Sequence, residues 1–312
     1  MSPNIAPCIS QQVSNFADLR HSARPLGPKK VAVVGADDEV ALTAADGASQ
    51  LGIALPVLIG DESRIRAKAE SLGLSNLISK AEFISTPDPA TVAAHMAGDG
   101  HVDLLLKGHL RTDQLLHAVL DKHAGVRTGR LLSDVLLYED TLADGVRLVG
   151  ITDGGLNVAP NLEQKKQIVE NAIEVMRCLG IARPKLAIMS ATEAVSDSLP
   201  SSVDAKRLAD MGAAGGFGEV DICGPLALDC ALLAWAAEAK GINNVVAGHA
   251  DCMVVPNLES GNLLGKAVKY LGGSACAHVV VGAKVPILIP SRVESAEDKI
   301  NSIALGVLFA AR

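Results

Sequence analysis

From Lys30 onward, short β-rich apolar runs alternate with longer stretches of helical periodicity, and this alternation constrains the fold more than any other feature of the chain. The runs are Val31–Val34, Pro56–Ile59, Val102–Leu106, Leu148–Ile151, Leu186–Met189, Val245–Ala247, Met253–Val255, Ala277–Val281 and Ile287–Ile289. Several are apolar at consecutive positions, as expected of strands buried on both faces. Between them the pattern predicts helices over 40–52, 62–72, 89–98, 113–123, 162–179, 203–211, 227–240, 261–271 and 296–309. Strands alternating with helices read as βα units around a parallel sheet. The chain has 312 residues, and a single hydrophobic core stops growing at roughly 250–300. The expectation is therefore two three-layer αβα domains with a cleft between them. Asp153-Gly154-Gly155 interrupts the pattern before the longest helix and suggests a boundary around Thr152–Pro160.

Composition excludes several function classes. Aromatic residues are only 2% of the chain, too few to build a stacking platform for single-stranded nucleic acid. The net charge of -7 also opposes non-specific nucleic-acid binding, which runs on basic surface. The six cysteines are scattered without a CxxC pair, which favours reduced thiols and a cytoplasmic setting. No apolar run reaches the roughly 18 residues of a membrane span, and the start of the chain does not read as a signal peptide. Gly215-Gly216-Phe217-Gly218 is neither GxGxxG nor a Walker A loop. No HExxH is present among the eight histidines, so metal catalysis is not expected.

Two segments concentrate anion-binding side chains. Lys107 ends an apolar run, and Arg111 and Thr112 open the next helix, with Thr112 or Asp113 as candidate N-cap. Arg127, Arg130 and Ser133 follow closely. In the second segment, VPILIPSRVESAEDKI, a buried strand ends at Pro290, and Ser291 and Arg292 lie between it and a helix. A hydroxyl and a guanidinium at a strand's carboxyl end suit a developing oxyanion and a phosphate. Ser295 and Asp298 have the spacing of a capping box, so Asp298 reads either as a cap partner or as a catalytic base.

In these segments, and in ITDGGLNVAPNLEQKKQIVENAI (151–173), GPLALDCA (224–231) and VAGHADCMVVPNLESGNLLGKAVKYL (246–271), the chain resembles the phosphate acetyltransferase/phosphate butyryltransferase family. It is nearer the butyryl and MaoC-fused branches. The resemblance implies reversible transfer of an acetyl or short-chain acyl group between coenzyme A and inorganic phosphate, with CoA as substrate and no cofactor. It also implies a homodimer and a fold like that of isocitrate and isopropylmalate dehydrogenases. In such a fold the last helix returns to the first domain, giving 1–150 plus 291–312 and 151–290. Ser291 matches the oxyanion donor, Arg292 the phosphate-holding arginine, and Asp298 the base acting on the CoA thiol. Arg130 and Ser133 match a segment lining the phosphate or CoA side, while Lys107, Arg111 and Thr112 are expected to bind substrate. Cys223, His249, Arg111 and Asp134 stand where many relatives carry other residues. Two alternatives remain at this stage: a non-catalytic acyl-CoA or acyl-phosphate binding relative, and an NAD- and metal-dependent decarboxylating dehydrogenase of the same fold.

Overall fold

Most of the apolar runs in the sequence become parallel strands. The computed structural model describes residue 9 and residues 11–142, 145–291 and 293–312. The strands are β1 (Lys29–Val34), β2 (Ala54–Gly60), β3 (Glu82–Ser85), β4 (Leu104–Lys107), β5 (Ser133–Asp140), β6 (Arg147–Thr152), β7 (Lys185–Met189), β8 (Asp221–Leu226), β9 (Cys252–Val254), β10 (Cys276–Val281) and β11 (Ile287–Leu288). The helices are α1 (Phe16–Ala23), α2 (Glu39–Gln50), α3 (Glu62–Ser71), α4 (Ser75–Lys80), α5 (Pro89–Gly98), α6 (Thr112–Leu120), α7 (Leu162–Cys178), α8 (Pro200–Ala213), α9 (Leu228–Leu232), α10 (Ala234–Ala239), α11 (Leu258–Lys266) and α12 (Ala296–Ala310). The architecture is mixed α/β.

The chain forms two compact units. The terminal unit comprises Ala17–Arg130 and Cys276–Arg312, and the central unit comprises Leu131–Ala275 with the chain up to Phe16. These divisions fall at 130/131 and 275/276, where the sequence reading expects 150/151 and 290/291. The reason is local. β5 pairs antiparallel with β6 and so stays with the central unit, while β10 pairs antiparallel with β11 and stays with the terminal one. The start of the chain is tied to the central unit by Val13 N donating to Leu179 O and Phe16 N donating to the Glu139 carboxylate.

In the terminal unit the strands run in the order β3-β2-β1-β4-β11-β10, with β3 to β11 parallel. Residues Val31–Val34 and Leu104–Leu106 are buried, which favours apolar side chains on both faces. Helix α12 packs on β10, β11, β4 and α2. In the central unit the order is β5-β6-β9-β7-β8, parallel from β6 to β8.

Several local readings differ from the structure. β5 carries Ser133, Asp134, Glu139 and Asp140, and polar residues conceal it in sequence. The Arg147 guanidinium meets the Asp140 carboxylate at 2.9 Å across the β5–β6 hairpin and makes that burial tolerable. The helix expected over 227–240 breaks at Leu233, which is extended. The predicted strand Val245–Ala247 is instead part of a loop that docks on this break. Gly248 N and Ala250 N donate to the carbonyls of Cys230 and Ala231, groups that a helix end leaves without intrahelical partners. Gly248 lies at positive φ, and a Cβ there would come within 2.4 Å of the Ala234 backbone.

Candidate active site

The terminal unit aligns the carboxyl ends of three neighbouring strands. Val34 of β1 is level with Lys107 of β4, and Leu106 is level with Leu288 of β11. In open α/β sheets ligands gather beyond such ends. The β1 and β4 loops touch through their backbones: Gly108 N donates to Val34 O and His109 N to Gly35 O. A Cβ on Gly108 would approach Gly35 O to 2.3 Å, so only glycine allows this contact.

Charged groups line these loops. Asp37 receives the Arg64 guanidinium at 2.6 Å, and His109 Nδ1 lies 3.6 Å from the same oxygen. Asp38 caps α2 by accepting from Ala41 N. The Lys299 ammonium, 3% exposed, lies 3.5 Å from the Asp38 carboxylate. Lys107 is itself buried at the end of β4. Arg111 stands at the cap position of α6, so Thr112 occupies the first helical turn and is not the cap. The Gln114 side chain accepts from Arg111 N. The exposed Arg111 guanidinium binds Asp113, and this hydrogen bond holds the Asp113 carboxyl below its ordinary range. Among the described residues the half-buried Thr112 hydroxyl has no hydrogen-bond partner.

Ser291 follows β11. Its carbonyl accepts from Glu294 N at 3.2 Å, while its half-buried hydroxyl has no partner among the described residues. Arg292 lies outside the described residues. Asp298, 1% exposed, forms the capping box of α12: one oxygen accepts from Ser295 N at 3.1 Å and Ser295 Oγ at 2.6 Å. The other oxygen accepts from Cys276 N at 2.9 Å, anchoring the helix start to the first residue of β10. Between these positions lies a pair the sequence reading misses. The buried Glu294 carboxylate meets His278 Nε2 at 3.3 Å. In sequence a glutamate before a helix reads only as a first-turn acid.

Arg130 is exposed at the end of the first segment of the terminal unit. Ser133 belongs to the central unit, is 0% exposed, and accepts from Asn171 Nδ2 at 2.8 Å. The hydroxyl thus fixes β5 against α7. In the same unit Thr152 Oγ1 donates to Asp134 O, and Asp153 organises the following turn. The Asp153 carboxylate accepts from the backbone N–H groups of Gly155, Leu156 and Asn157 and from Asn157 Nδ2. Burial, reinforced by the neighbouring Asp134 charge, nevertheless raises the Asp153 pKa. A raised acid pKa means the native state holds a proton that the unfolded state has released. The contribution of this group to stability is therefore present below the usual aspartate value of about 3.9, and it is lost as pH rises through the raised folded value. Asp134→Asn removes the like charge and should flatten this pH dependence. Denaturant titrations of both proteins across that window check it, and parallel curves would dissociate Asp134 from Asp153.

Among the described residues one group has metal-ligand geometry: Glu193, Asp229 and Cys230. Lys240 already supplies its cation, with Nζ at 3.1 Å from Glu193 and 3.0 Å from Asp229. Desolvation, reinforced by the Glu193 carboxylate, pushes the Cys230 thiol up to about 11, away from the thiolate a metal requires.

Comparison with known proteins gives a consistent picture. The family model described as phosphate acetyl/butaryl transferase matches residues 75–307. A phosphate acetyltransferase of Rhizobium meliloti is 37% identical, over 96% of this chain and 95% of its own. A phosphate butyryltransferase of Clostridium acetobutylicum is 36% identical, over 96% of this chain and 99% of its own. Among solved structures, a branched-chain phosphotransacylase from Enterococcus faecalis V583 aligns with a TM-score of 0.78 at 30% identity, covering 90% of this chain and 99% of that one.

Proposed function

This chain belongs to the phosphate acetyl/butaryl transferase family and is a phosphate acyltransferase, and we propose that it interconverts a short-chain acyl-CoA plus inorganic phosphate with acyl phosphate plus CoA. In the direction of acyl-CoA synthesis the sulfur of the CoA thiol attacks the carbonyl carbon of the acyl phosphate. The carbonyl π electrons move to oxygen, and the Ser291 hydroxyl donates a hydrogen bond to the oxyanion. Collapse of the tetrahedral species expels phosphate, whose charge Arg292 holds. Arg111, Arg130, Lys107 and Thr112 supply further donors for phosphate or CoA. Asp298 takes the thiol proton as attack proceeds. Ser133 serves the segment from within, through Asn171.

The observation that carries this reading is the Ser291 hydroxyl. It is half-buried beyond a parallel strand end and unoccupied by any described partner. The decisive test is acyl-CoA consumption with acetyl-, propionyl- and butyryl-CoA side by side. Consumption that is indifferent to added phosphate would end the proposal; the ratio of rates identifies the preferred chain.

Finer features of the same reading follow. The fold is proposed to be of the isocitrate/isopropylmalate dehydrogenase type, with two αβα domains. A homodimer is supported by Leu263, Tyr270 and Leu271, at 70%, 53% and 88% exposure on α11 and the turn after it. Sedimentation giving the mass of one chain would refute it. A cytoplasmic location is supported by five free cysteines among the described residues. No helix among them is long and apolar enough to cross a membrane.

A further inference from the structure

Two buried side chains beside Ser291, Glu294 and His278, have no part in the proposed chemistry. β10 runs antiparallel to β11, so the start of β10 flanks the end from which Ser291 emerges. His278 N donates to Ser302 Oγ at 2.9 Å, and Ser302 Oγ donates to Asp298 O at 2.9 Å. The His278 main chain is thereby fixed against α12 as well as within the sheet. Its imidazole Nε2 lies 3.3 Å from the Glu294 carboxylate.

Glu294 turns inward at a cost that helix capping does not explain. Its neighbour Val293 is 71% exposed, whereas Glu294 is 7% exposed. A glutamate just before a helix favours the positive helix end equally well from solvent, without giving up its hydration. One Glu294 oxygen has the His278 contact, and Oε2 is buried with no hydrogen-bond partner among the described residues. The gain lies in the main chain. Glu294 N donates to Ser291 O, the one hydrogen bond that Ser291 makes among the described residues. The Ser295–Asp298 capping box holds α12 from Ser295 onward and does not reach Ser291. The Glu294 side chain therefore ties the residue that grips Ser291 directly to β10.

We infer that Glu294 and His278 are positioning residues for Ser291, holding its hydroxyl in place for the oxyanion without touching the substrate themselves. For the reaction that Ser291 serves, this rests on the phosphate acyltransferase reading. Precision is what such a pair supplies. An oxyanion donor acts from about 2.7–3.1 Å, and a misplacement of about 1 Å is enough to cost about 10²-fold in rate.

Glu294→Ala and His278→Ala should each lower turnover by about tenfold or more, with the KM for acyl-CoA and for phosphate nearly unchanged. A general disturbance of the fold or of α12 would lower the rate by the same factor in any background. The deciding measurement is therefore a double-mutant cycle with Ser291→Ala. Once the hydroxyl is gone, adding either substitution should change turnover by no more than about twofold. A second tenfold loss in the Ser291→Ala background, or undiminished turnover in folded Glu294→Ala, overturns the inference. If Glu294→Ala does not fold, His278→Ala decides by the same cycle and the same two outcomes. If the unaltered protein shows no phosphate-dependent turnover, the functional reading fails separately, and hydrogen exchange then judges the pair. The Glu294 amide, protected by its bond to Ser291 O, should exchange about tenfold faster in His278→Ala; unchanged exchange overturns the inference.

Discussion

Ser291→Ala should lower turnover by about 10²–10³ while leaving the melting transition in place. The two halves of this expectation come from the same geometry. The Ser291 hydroxyl makes no hydrogen bond to any described residue, so its removal strands no buried donor or acceptor. The backbone carbonyl of Ser291, which accepts from Glu294 N, is untouched by the substitution. What alanine loses is a donor for charge that exists only when the acyl carbonyl becomes tetrahedral. An interaction made only in the transition state lowers turnover and catalytic efficiency together and leaves the KM for acyl-CoA nearly constant. Steady-state kinetics beside a thermal melt separate the possibilities. Undiminished turnover removes Ser291 from the chemistry, and a rate loss accompanied by an early melt assigns it a structural part.

The strands legible in sequence were those whose burial is paid by their own side chains. β1 and β4 are apolar because both faces are covered, and consecutive apolar residues announce it. β5 was illegible because its polar residues are compensated from afar: Ser133 by Asn171, 38 positions on, and Asp140 by Arg147 across a hairpin. β8 was hidden by Gly224-Pro225, a pair that argues against a strand. A Cβ on Gly224 would strike Ile188 at 2.8 Å, so that glycine marks a close approach to β7 that spacing cannot reveal. Val245–Ala247 erred the other way, being apolar through loop packing rather than pairing. The same division holds for the sites. The Ser295–Asp298 capping box is a three-residue spacing and was readable. The bond from Cys276 N to Asp298 spans 22 positions and was not. Nor does any local motif announce the contact between Glu294 and His278.

Asp298→Asn is the substitution in which structure and chemistry compete most directly. Every described hydrogen bond to the Asp298 carboxylate comes from a donor: Cys276 N on one oxygen, Ser295 N and Oγ on the other. An amide offers one acceptor oxygen, so its NH₂ must face one of these donors. The loss of one bond and the opposed donors should destabilise the fold by about 1–3 kcal/mol, visible as a lower denaturant midpoint. A base that contacts the thiol contributes a further factor of about 10²–10⁴ in turnover, measured in the direction of acyl-CoA synthesis at temperatures where the variant is folded. Stability alone does not identify that factor; pH does. A free thiol titrates near 8.5, and once the thiolate forms in solution the enzyme no longer needs a base. The deficit of Asp298→Asn should therefore shrink as pH rises through the thiol range, whereas a misplaced α12 would leave it constant. Ser295→Ala supplies the control. It weakens the cap by about 0.5–2 kcal/mol but keeps the carboxylate, so it should lower the midpoint without creating the pH-rescued deficit. If Asp298→Asn melts early yet turns over like the parent once folded, the carboxylate is a cap for α12, and thiol deprotonation must be assigned elsewhere.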